Sequence, residues 1–363
     1  MFNLFNLKPD FFGLDISDFS IRFTQLKKRR NFLFLASWGE KELKEKIVEG
    51  GEIKDKKALV EAIKETLLKA KGGKMKTKEV VVSLPEKKCF LQVIQVPKMD
   101  EKELETAIPF EAENYIPLPV ETVYLDFQII PPVQNGLDHF DVLIVAVSKN
   151  VVDSYLACLK EAGLVPIAME AESQAITRAL VKNGFSGFPV FIIDFGRSSS
   201  NFIIFSGYSI RFTTSISISS HTLTETISKF LRVSLDEAEK MKLEYGLSEA
   251  VNEKGKKVNE VITPILTDFT KEIARHIDYY QSHRVHEHFP SNGKEIDKII
   301  LCGQGANLKG LSGFLSSQLG ISVEIANPWV NILKEPLKEV PGLSYKESLG
   351  YTTALGLALR EKF

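Results

Sequence analysis

Short apolar runs separated by polar turns open the chain. Runs over residues 11–16, 21–27 and 32–38 predict three strands joined by tight turns. Apolar residues then recur every three to four positions over 59–70, which predicts a helix, and residues 80–84 predict another strand. Strands and helices keep alternating further along, so the pattern predicts an α/β fold with mixed sheets.

Residues 85–163 carry a strand-and-helix pattern of their own, which predicts an insertion. Its strands are predicted over 90–96, 123–130 and 140–147. Asp100 and Glu103 have the spacing of a helix capping box. A second helix of the insertion is predicted to begin at Ser148 and to end at Gly163.

Helices dominate the later part of the chain. A helix over 170–182 leads out of the insertion, and apolar spacing predicts mainly helices from about 222 to 288. A strand over 298–301 and helices over 307–319 and 348–360 complete the predicted order.

One local pattern occurs twice, as FGLDISDFS at residues 12–20 and as FIIDFGRSS at residues 191–199. Each copy is an apolar strand that ends in an aspartate, Asp15 or Asp194, before a turn of small or polar residues. Two such turns facing each other offer backbone N–H groups to a polyphosphate, and the two carboxylates suit Mg²⁺. A third strand enters a Gly-rich turn in IILCGQGA at 299–306, so the three motifs predict a nucleotide cleft between two related halves.

Composition excludes several classes of function. The net charge of −1 leaves no basic excess, so nucleic acid is not an expected partner. Cys89, Cys158 and Cys302 are widely spaced and form neither a metal nor a disulfide pattern, so a reducing cytoplasm is expected. No signal-peptide pattern and no apolar window of about 18 residues is found, so neither secretion nor a membrane span is expected.

The histidines cluster near the end of the long predicted helix, at His276, His283, His286 and His288. A solvated helix end is favoured over a metal site, because no further ligand of suitable spacing follows. The sequence contains no recognisable Ser–His–Asp or Cys–His arrangement, so hydrolysis through a protein nucleophile is not expected.

The order of the three motifs resembles that of the actin-like ATPase superfamily, and the chain from about residue 11 to 360 resembles the PilM family of type IV pilus assembly within it. The stretches that carry the resemblance are EAENYIP at 111–117, AGL at 162–164, IRFT at 210–213, NPW at 327–329 and ALGLALR at 354–360. The segment AEKMKLEYG at 238–246 is similar to the A-E-x-x-K-x-x-x-G helix of related folds.

The resemblance implies an actin-like, ribonuclease H-like duplicated fold of class α/β. Two lobes are expected, each with a mixed sheet and helices, together with a small inserted subdomain of the kind found in FtsA and PilM. The implied parts are a first-lobe core at 1–84, 164–188 and 346–363, the inserted subdomain at 85–163, a second-lobe core at 189–219 and 292–345, and a helical subdomain at 220–291.

The resemblance also implies ATP and Mg²⁺ in the cleft, with Asp15 and Asp194 as the metal ligands. The implied nucleotide-binding residues are Asp15, Ser17, Ser20, Asp194, Gly196, Arg197, Ser198, Ser199, Glu239, Lys242, Gly303, Gln304, Gly305 and Ala306. Glu172 falls where actin-like ATPases place a polar residue that orients the attacking water, so it is the candidate catalytic residue. An exposed helix carboxylate is the alternative interpretation of Glu172.

The first loop departs from the D-I-G-S that is usual in the superfamily. Ser17 adds a Cβ where phosphate approaches and Asp18 adds a negative charge, whereas Arg197 in the second loop can donate to phosphate. Cys302 and Gln304 flank Gly303, where glycines are more common. Nucleotide binding is therefore expected, with ATP hydrolysis weak or absent.

The function implied by the resemblance is a cytoplasmic ATP-binding scaffold of the type IV pilus assembly platform. Such a scaffold docks the N-terminal tail of a PilN-like inner-membrane protein in a groove beside the inserted subdomain, and it reaches the membrane only through that partner. Phe110, Tyr115 and Ile116 are candidate apolar contacts, and self-association is a further expectation. The alternatives are an FtsA-like actin-family ATPase and the cytoplasmic module of a type II secretion system.

Overall fold

The computed structural model describes residues 10–30, 32–134, 136–248, 252–283, 295–334 and 340–360. The strands are β1 Phe11–Ile16, β2 Ser20–Arg29, β3 Phe32–Glu42, β4 Val48–Glu49, β5 Glu52–Ile53, β6 Lys71–Gly72, β7 Glu79–Leu84, β8 Cys89–Pro97, β9 Val123–Ile129, β10 His139–Ser148, β11 Val165–Ala171, β12 Ser186–Phe195, β13 Ser200–Gly207, β14 Ser209–Ile216, β15 Lys298–Cys302 and β16 Val323–Ile325. The helices are α1 Lys56–Leu68, α2 Glu101–Ala112, α3 Lys149–Glu161, α4 Glu172–Leu180, α5 Ser220–Leu231, α6 Leu235–Tyr245, α7 Glu253–Ser282, α8 Leu311–Leu319, α9 Tyr345–Ser348 and α10 Thr352–Ala358.

The first lobe is built on a six-stranded mixed sheet of order β11-β7-β1-β2-β3-β6. β1 pairs antiparallel with β2 and parallel with β7, so the apolar run FFGLDI lies at the centre of the sheet and is buried. Gly13 lets α10 approach this strand closely, because a Cβ there would lie 2.3 Å from the carbonyl oxygen of Ala354.

A three-stranded antiparallel sheet of order β8-β10-β9 forms the inserted subdomain. α2 covers one of its faces with Leu104, Ile108 and Ala112. The capping box predicted at Asp100 and Glu103 is confirmed, since each side chain accepts a hydrogen bond from the backbone N–H of the other residue.

α3 follows the inserted sheet but packs on the core of the first lobe. Its Tyr155, Cys158 and Leu159 are buried beside Leu59 and Ile63 of α1. The side chain of Ser148, predicted to cap this helix, makes no capping hydrogen bond.

The second lobe contains a five-stranded sheet of order β14-β13-β12-β15-β16, with α5, α6 and α7 packed on it. β12 pairs antiparallel with β13 and parallel with β15, which repeats the arrangement around β1. α4 and α10 cross closely between the lobes, because a Cβ at Gly356 would lie 1.8 Å from the carbonyl oxygen of Ala175.

Some predicted boundaries are wrong. Residues 165–171 form strand β11, whereas the sequence predicted a helix already at residue 170. The helix predicted over 307–319 begins only at Leu311, after a 3₁₀ turn at Gln304–Asn307. The final helix is divided into α9, a 3₁₀ turn and α10. The longest described helix, α7, does not have the apolar character of a membrane span, and neither do the other helices of the described ranges.

Candidate functional site

The two copies of the repeated pattern meet at one cleft between the lobes. β1 carries Asp15 and β12 carries Asp194, and Glu172 joins them from the start of α4. The expected site residues that line this cleft are Asp15, Ser17, Ser20, Glu172, Asp194, Gly196, Arg197, Ser198, Ser199, Gly303 and Gln304. The duplicated strand–aspartate–turn units therefore face each other across the gap.

Asp15 is buried and Asp194 is half-buried, and the pKa values of both carboxyls are raised. Burial, and then the nearby charge of Asp15, raise the pKa of Asp194 from 3.8 to about 7. Burial also raises the pKa of Asp15, although the Ser83 hydroxyl donates to its Oδ1 at 2.7 Å and Arg22 favours its charged form. Near neutral pH the pair accordingly favours a proton or a cation between the strand ends.

Glu172 and Glu86 add two more carboxyls beside this pair. Burial and the charges of Asp15 and Asp194 hold the pKa of Glu172 well above 4.5, and burial raises that of Glu86. The Glu86 N–H donates to Glu172 at 3.4 Å, while Glu86 itself accepts from the Ser173 N–H at 2.9 Å. Glu172 is thus part of a half-buried carboxyl cluster, and its interpretation as an exposed helix carboxylate is wrong.

Two residues beside the aspartates were missed from the sequence. Arg22 stands opposite Asp15 in the β1–β2 pair, and Asn201 stands opposite Asp194 in the β12–β13 pair. Both line the cleft, and the Asn201 side-chain amide donates to Glu172 at 2.8 Å. The sequence did contain a signal for both residues, because Arg22 follows Asp15 by the same number of positions as Asn201 follows Asp194.

The first turn uses its own polar groups internally. Ser17 Oγ accepts from the Ser20 N–H and donates to the Ser20 carbonyl, each at 3.1 Å. Asp18, expected to place a negative charge near phosphate, instead accepts from the N–H groups of Gly50 and Gly51 at 3.0 and 2.8 Å. The Asp18 carboxylate therefore ties the first turn to the β4–β5 hairpin.

The second turn reaches across the mouth of the cleft. Arg197 donates to Glu42 at 3.1 Å, and its guanidinium lies 4.9 Å from the centre of the Phe19 ring. Both contacts are made with the first lobe. The carbonyl of Gly196 accepts from the Ser220 N–H at 2.9 Å, which joins the turn to the start of α5.

The third turn packs directly on the second aspartate. Gly303 has φ of +81°, and a Cβ there would lie 2.4 Å from Asp194 Oδ1. Gln304 accepts from Arg22 at 3.0 Å, which adds a second link between the lobes. With these contacts in place the cleft has a volume of about 60 Å³, room for a few water molecules.

Four expected nucleotide-binding residues do not line the cleft. Lys242 is buried and donates to the carbonyl and hydroxyl of Ser220 at 3.0 and 2.7 Å and to Glu239 at 2.7 Å, so this pair holds α6 to α5. Gly305 and Ala306 are buried behind the third turn, where a Cβ at Gly305 would lie 2.5 Å from the Phe195 ring.

The histidine cluster falls partly outside the described residues, which exclude His286 and His288. His276 and His283 each make a hydrogen bond with a backbone carbonyl one turn earlier in α7. Within the described residues no group of three or more His, Cys, Asp or Glu side chains is placed to hold a metal ion.

A larger cavity, of about 470 Å³, lies between the inserted subdomain and the first lobe. We call it the groove. It is lined by Leu84, Tyr124, Leu125, Asp126, Phe127, Gln128, Leu143, Val145, Val147, Val152, Met169, Glu170, Ala171, Gln174, Arg178 and Arg360. Its charged end is organised by Glu170, which accepts from Arg178 at 2.9 Å and from Arg360.

The expected partner contacts do not line the groove. Ile116 is buried in the core under α2, and Phe110 and Tyr115 are exposed elsewhere on the inserted subdomain. Two edge strands flank the groove instead, namely β9 of the three-stranded sheet and β11 of the six-stranded sheet.

Comparisons with known proteins agree with this architecture. A structure described as a PilM–PilN type IV pilus biogenesis complex matches with a TM-score of 0.79 and 26% identity, over 97% of this chain and 98% of that chain. MreB5 of Spiroplasma citri bound to ADP shares the fold, with a TM-score of 0.55 and 14% identity over 98% and 97% of the two chains.

Sequence comparison points the same way. Cell division protein FtsA of Enterococcus hirae is 23% identical over 200 residues, which are 52% of this chain and only 45% of that relative. The family model of the type IV pilus assembly protein PilM matches residues 13–362. The actin-like fold is therefore confirmed, and the chain belongs to the PilM family of type IV pilus assembly proteins.

Proposed function

We infer that this chain is an actin-like scaffold of type IV pilus assembly, which binds Mg·ATP in the cleft and the N-terminal tail of a PilN-like inner-membrane protein in the groove. The observation that supports this partner is the groove, which is the larger of the two cavities described above. In addition, the chain is 26% identical to a chain in the structure of a PilM–PilN complex.

The form of the groove suits an extended peptide. Edge strands carry backbone N–H and C=O groups that can pair with an added strand, and β9 and β11 flank the groove. Its floor is apolar, with Leu143, Val145 and Val147 of β10, which favours a tail with apolar side chains. The scaffold would reach the inner membrane, from the cytoplasmic side, only through this partner.

The cleft suits a nucleotide with its metal. Asp15 and Asp194 are the residues that would hold Mg²⁺, a cation that prefers oxygen ligands and keeps several of its waters. Their raised pKa values reflect carboxyls that are removed from water and whose charge lacks full compensation. Beside them, the buried Asn201 Oδ1 atom has no hydrogen-bond partner among the described residues. Bound Mg²⁺ would supply positive charge to the phosphates, and Arg197 can add a bidentate donor.

Hydrolysis is proposed to be weak or absent. Glu172 would have to orient an attacking water, yet its carboxyl is held by Asn201 and has a strongly raised pKa. Asn201 and the Glu86 N–H both donate to Glu172 Oε2, so a cation or a movement of the lobes would have to free this oxygen before it could orient a water molecule.

The proposal is tested with a labelled synthetic peptide of the N-terminal tail of a PilN protein from the same organism. Fluorescence anisotropy should give saturable binding to the full chain. Val145→Glu, which places a charge on the apolar floor, should weaken binding by about tenfold or more. Phe110→Ala is the matched control outside the groove and should bind as the parent does. No binding of the parent at high peptide concentration would overturn the partner assignment.

A further inference from the structure

A third cavity, smaller than the cleft and the groove, adjoins the cleft and shares Glu172 and Asn201 with it. Its volume is about 20 Å³, and one water molecule needs about 10–15 Å³ of such space. We call it the carboxyl pocket. The oxygen-bearing side chains around it include Ser17, Glu86, Glu172, Ser198, Ser199 and Asn201. The carboxyl pocket therefore has room for one small particle, surrounded by oxygen atoms from both lobes.

Asn201 brings to the carboxyl pocket an oxygen atom that lacks a donor. The residue is only 3% exposed, and its Nδ2 donates to Glu172 Oε2 at 2.8 Å. Its Oδ1 is also buried and accepts no hydrogen bond from the described residues. A buried amide oxygen that accepts nothing destabilises the fold, so a donor or a cation beside it is expected.

Glu86 contributes a second oxygen atom of the same kind. The residue is 4% exposed, and its Oε2 accepts from the Ser173 N–H at 2.9 Å. Its Oε1 is buried and has no hydrogen-bond partner in the described part of the chain. The hydroxyls of Ser173 and Thr213 lie near this carboxyl and favour its charged form, but neither forms a hydrogen bond with Oε1. The second unsatisfied atom is thus also an acceptor, and it belongs to a group that can be charged.

The chain's own cations do not neutralise this group of oxygens. Within the described ranges the only cationic side chain that lines the carboxyl pocket is Lys87. Lys87 pairs with Asp18 instead, with 3.4 Å between Nζ and Oδ2. A water molecule could donate to both unsatisfied oxygens, but it would leave the charge of two buried carboxyls uncompensated. A cation satisfies the oxygens and the charge together.

The dimensions of the carboxyl pocket suit a monovalent cation better than Mg²⁺. Mg²⁺ keeps several of its waters, and a space of about 20 Å³ cannot hold them. No three His, Cys, Asp or Glu side chains of the described residues are grouped to hold a metal ion. By contrast, K⁺ exchanges its hydration shell for neutral carbonyl oxygens, and the Asn201 amide supplies one.

We propose that the carboxyl pocket binds one dehydrated monovalent cation, K⁺ or Na⁺, between Glu86, Glu172 and the amide oxygen of Asn201. This site is separate from the Mg²⁺ site between Asp15 and Asp194, and it needs no nucleotide. Asn201 lies in the second lobe and the two glutamates lie outside it, so the cation stabilises the contact between the lobes.

The test is thermal unfolding of the nucleotide-free full chain at about pH 8, where the carboxyls hold fewer protons. KCl, NaCl and choline chloride are compared at one ionic strength of about 0.15 M, because choline is too large for the carboxyl pocket. We expect a midpoint at least about 3 °C higher in KCl or NaCl than in choline chloride, with a shift that saturates as K⁺ replaces choline.

Glu86→Gln keeps the shape of the side chain and removes its charge, so the shift should fall below about 1 °C. Glu324→Gln is the matched control, because Glu324 is an exposed carboxylate that pairs with Lys298 at 2.9 Å within the second lobe. It should keep the full shift. Where Glu86→Gln fails to fold, a crystal of the parent soaked in RbCl serves instead and should show an anomalous peak inside the carboxyl pocket.

Equal midpoints of the parent in all three salts, or no anomalous peak in the carboxyl pocket, would overturn the proposal. A shift that persists in Glu86→Gln would place the cation elsewhere. If the parent shows no shift and Lys87→Met gains one, the lysine itself supplies the missing charge and the cation site is refuted. Neither Mg·ATP nor the tail peptide is present, so a failure of the proposed function leaves these outcomes unchanged.

Discussion

Asn201 donates its side-chain amide to Glu172, with 2.8 Å between Nδ2 and Oε2, and so joins β13 of the second lobe to the first turn of α4. The same amide lies 3.4 Å from Asp194 Oδ2. One neutral donor is thus shared between two carboxyls that come from different lobes. It lowers the cost of holding these acids together when no cation lies between them.

Asn201→Asp removes this donor and adds another carboxyl to the cluster. We expect the free energy of unfolding at about pH 8 to fall by about 1–3 kcal/mol, because a buried hydrogen bond to an acid is lost and like charges are brought together. At about pH 5 the loss should be smaller, since the cluster then holds more protons. Urea denaturation at both pH values measures the effect. Asn114→Asp, at an exposed position, is the control, and an equal loss in both variants would contradict the prediction.

Asp194 makes the protein less stable as the pH rises towards neutrality. Its pKa is about 7 in the folded protein and 3.8 as the ordinary value, so between these limits the folded state binds more protons than the unfolded chain. The stability it contributes is therefore complete below about pH 4 and is lost as the pH rises through 7. Asp194→Asn should be more stable than the parent at about pH 8, by a few kcal/mol, and equal to it near pH 4.

The measurement for Asp194 is the urea midpoint of parent and variant across this pH range. Asp268→Asn, at an exposed position of α7, should follow the parent at every pH. If the urea midpoints of Asp194→Asn and of the parent change with pH in the same way, Asp194 keeps its ordinary pKa in the folded state.

Arg197 should hold phosphate only after it leaves Glu42. Arg197→Met should weaken Mg·ATP binding about tenfold, because a charge-assisted hydrogen bond is lost. Glu42→Gln should strengthen it a few-fold, since the pair is largely exposed and holds Arg197 only weakly. Calorimetric titration measures both, with Glu49→Gln as a control for the loss of an exposed carboxylate. Unchanged affinity in Arg197→Met would exclude the second turn as a phosphate contact.

The structural features around the cleft that were predicted correctly from the sequence depend on local rules. Asp15 and Asp194 end apolar strands, and a strand that ends in a polar turn has the same form in any context. Because the pattern is duplicated, the two halves could be expected to face each other. The helix start at Asp100 was equally predictable, since a capping box satisfies its own backbone groups within a few residues.

The parts that were missed depend on packing between distant segments. Lys242 fits a nucleotide-binding motif, but the hydroxyl and carbonyl of Ser220 on the neighbouring helix satisfy its charge in the interior. Asp18 carries a charge whose partners, two N–H groups of a hairpin more than thirty residues away, leave no mark in the local pattern. The end of β11 was predicted as the start of a helix because the strand passes directly into α4 with no intervening turn.

Gly303 is required by the geometry of the third turn, so replacing it with alanine should have the opposite effect on stability from the same replacement at Gly313. Gly303→Ala adds a Cβ that would lie 2.4 Å from Asp194 Oδ1 at φ of +81°, so both the turn and the aspartate must shift. We expect a loss of about 1–3 kcal/mol in the free energy of unfolding, from backbone strain alone, and weakened Mg·ATP binding. Gly313→Ala lies inside α8 with no atom within 4 Å of the new Cβ, and should stabilise the protein by about 0.5–1 kcal/mol. Thermal unfolding of the two variants with and without Mg·ATP separates these effects. Equal nucleotide-induced shifts in both would show that the third turn does not shape the cleft.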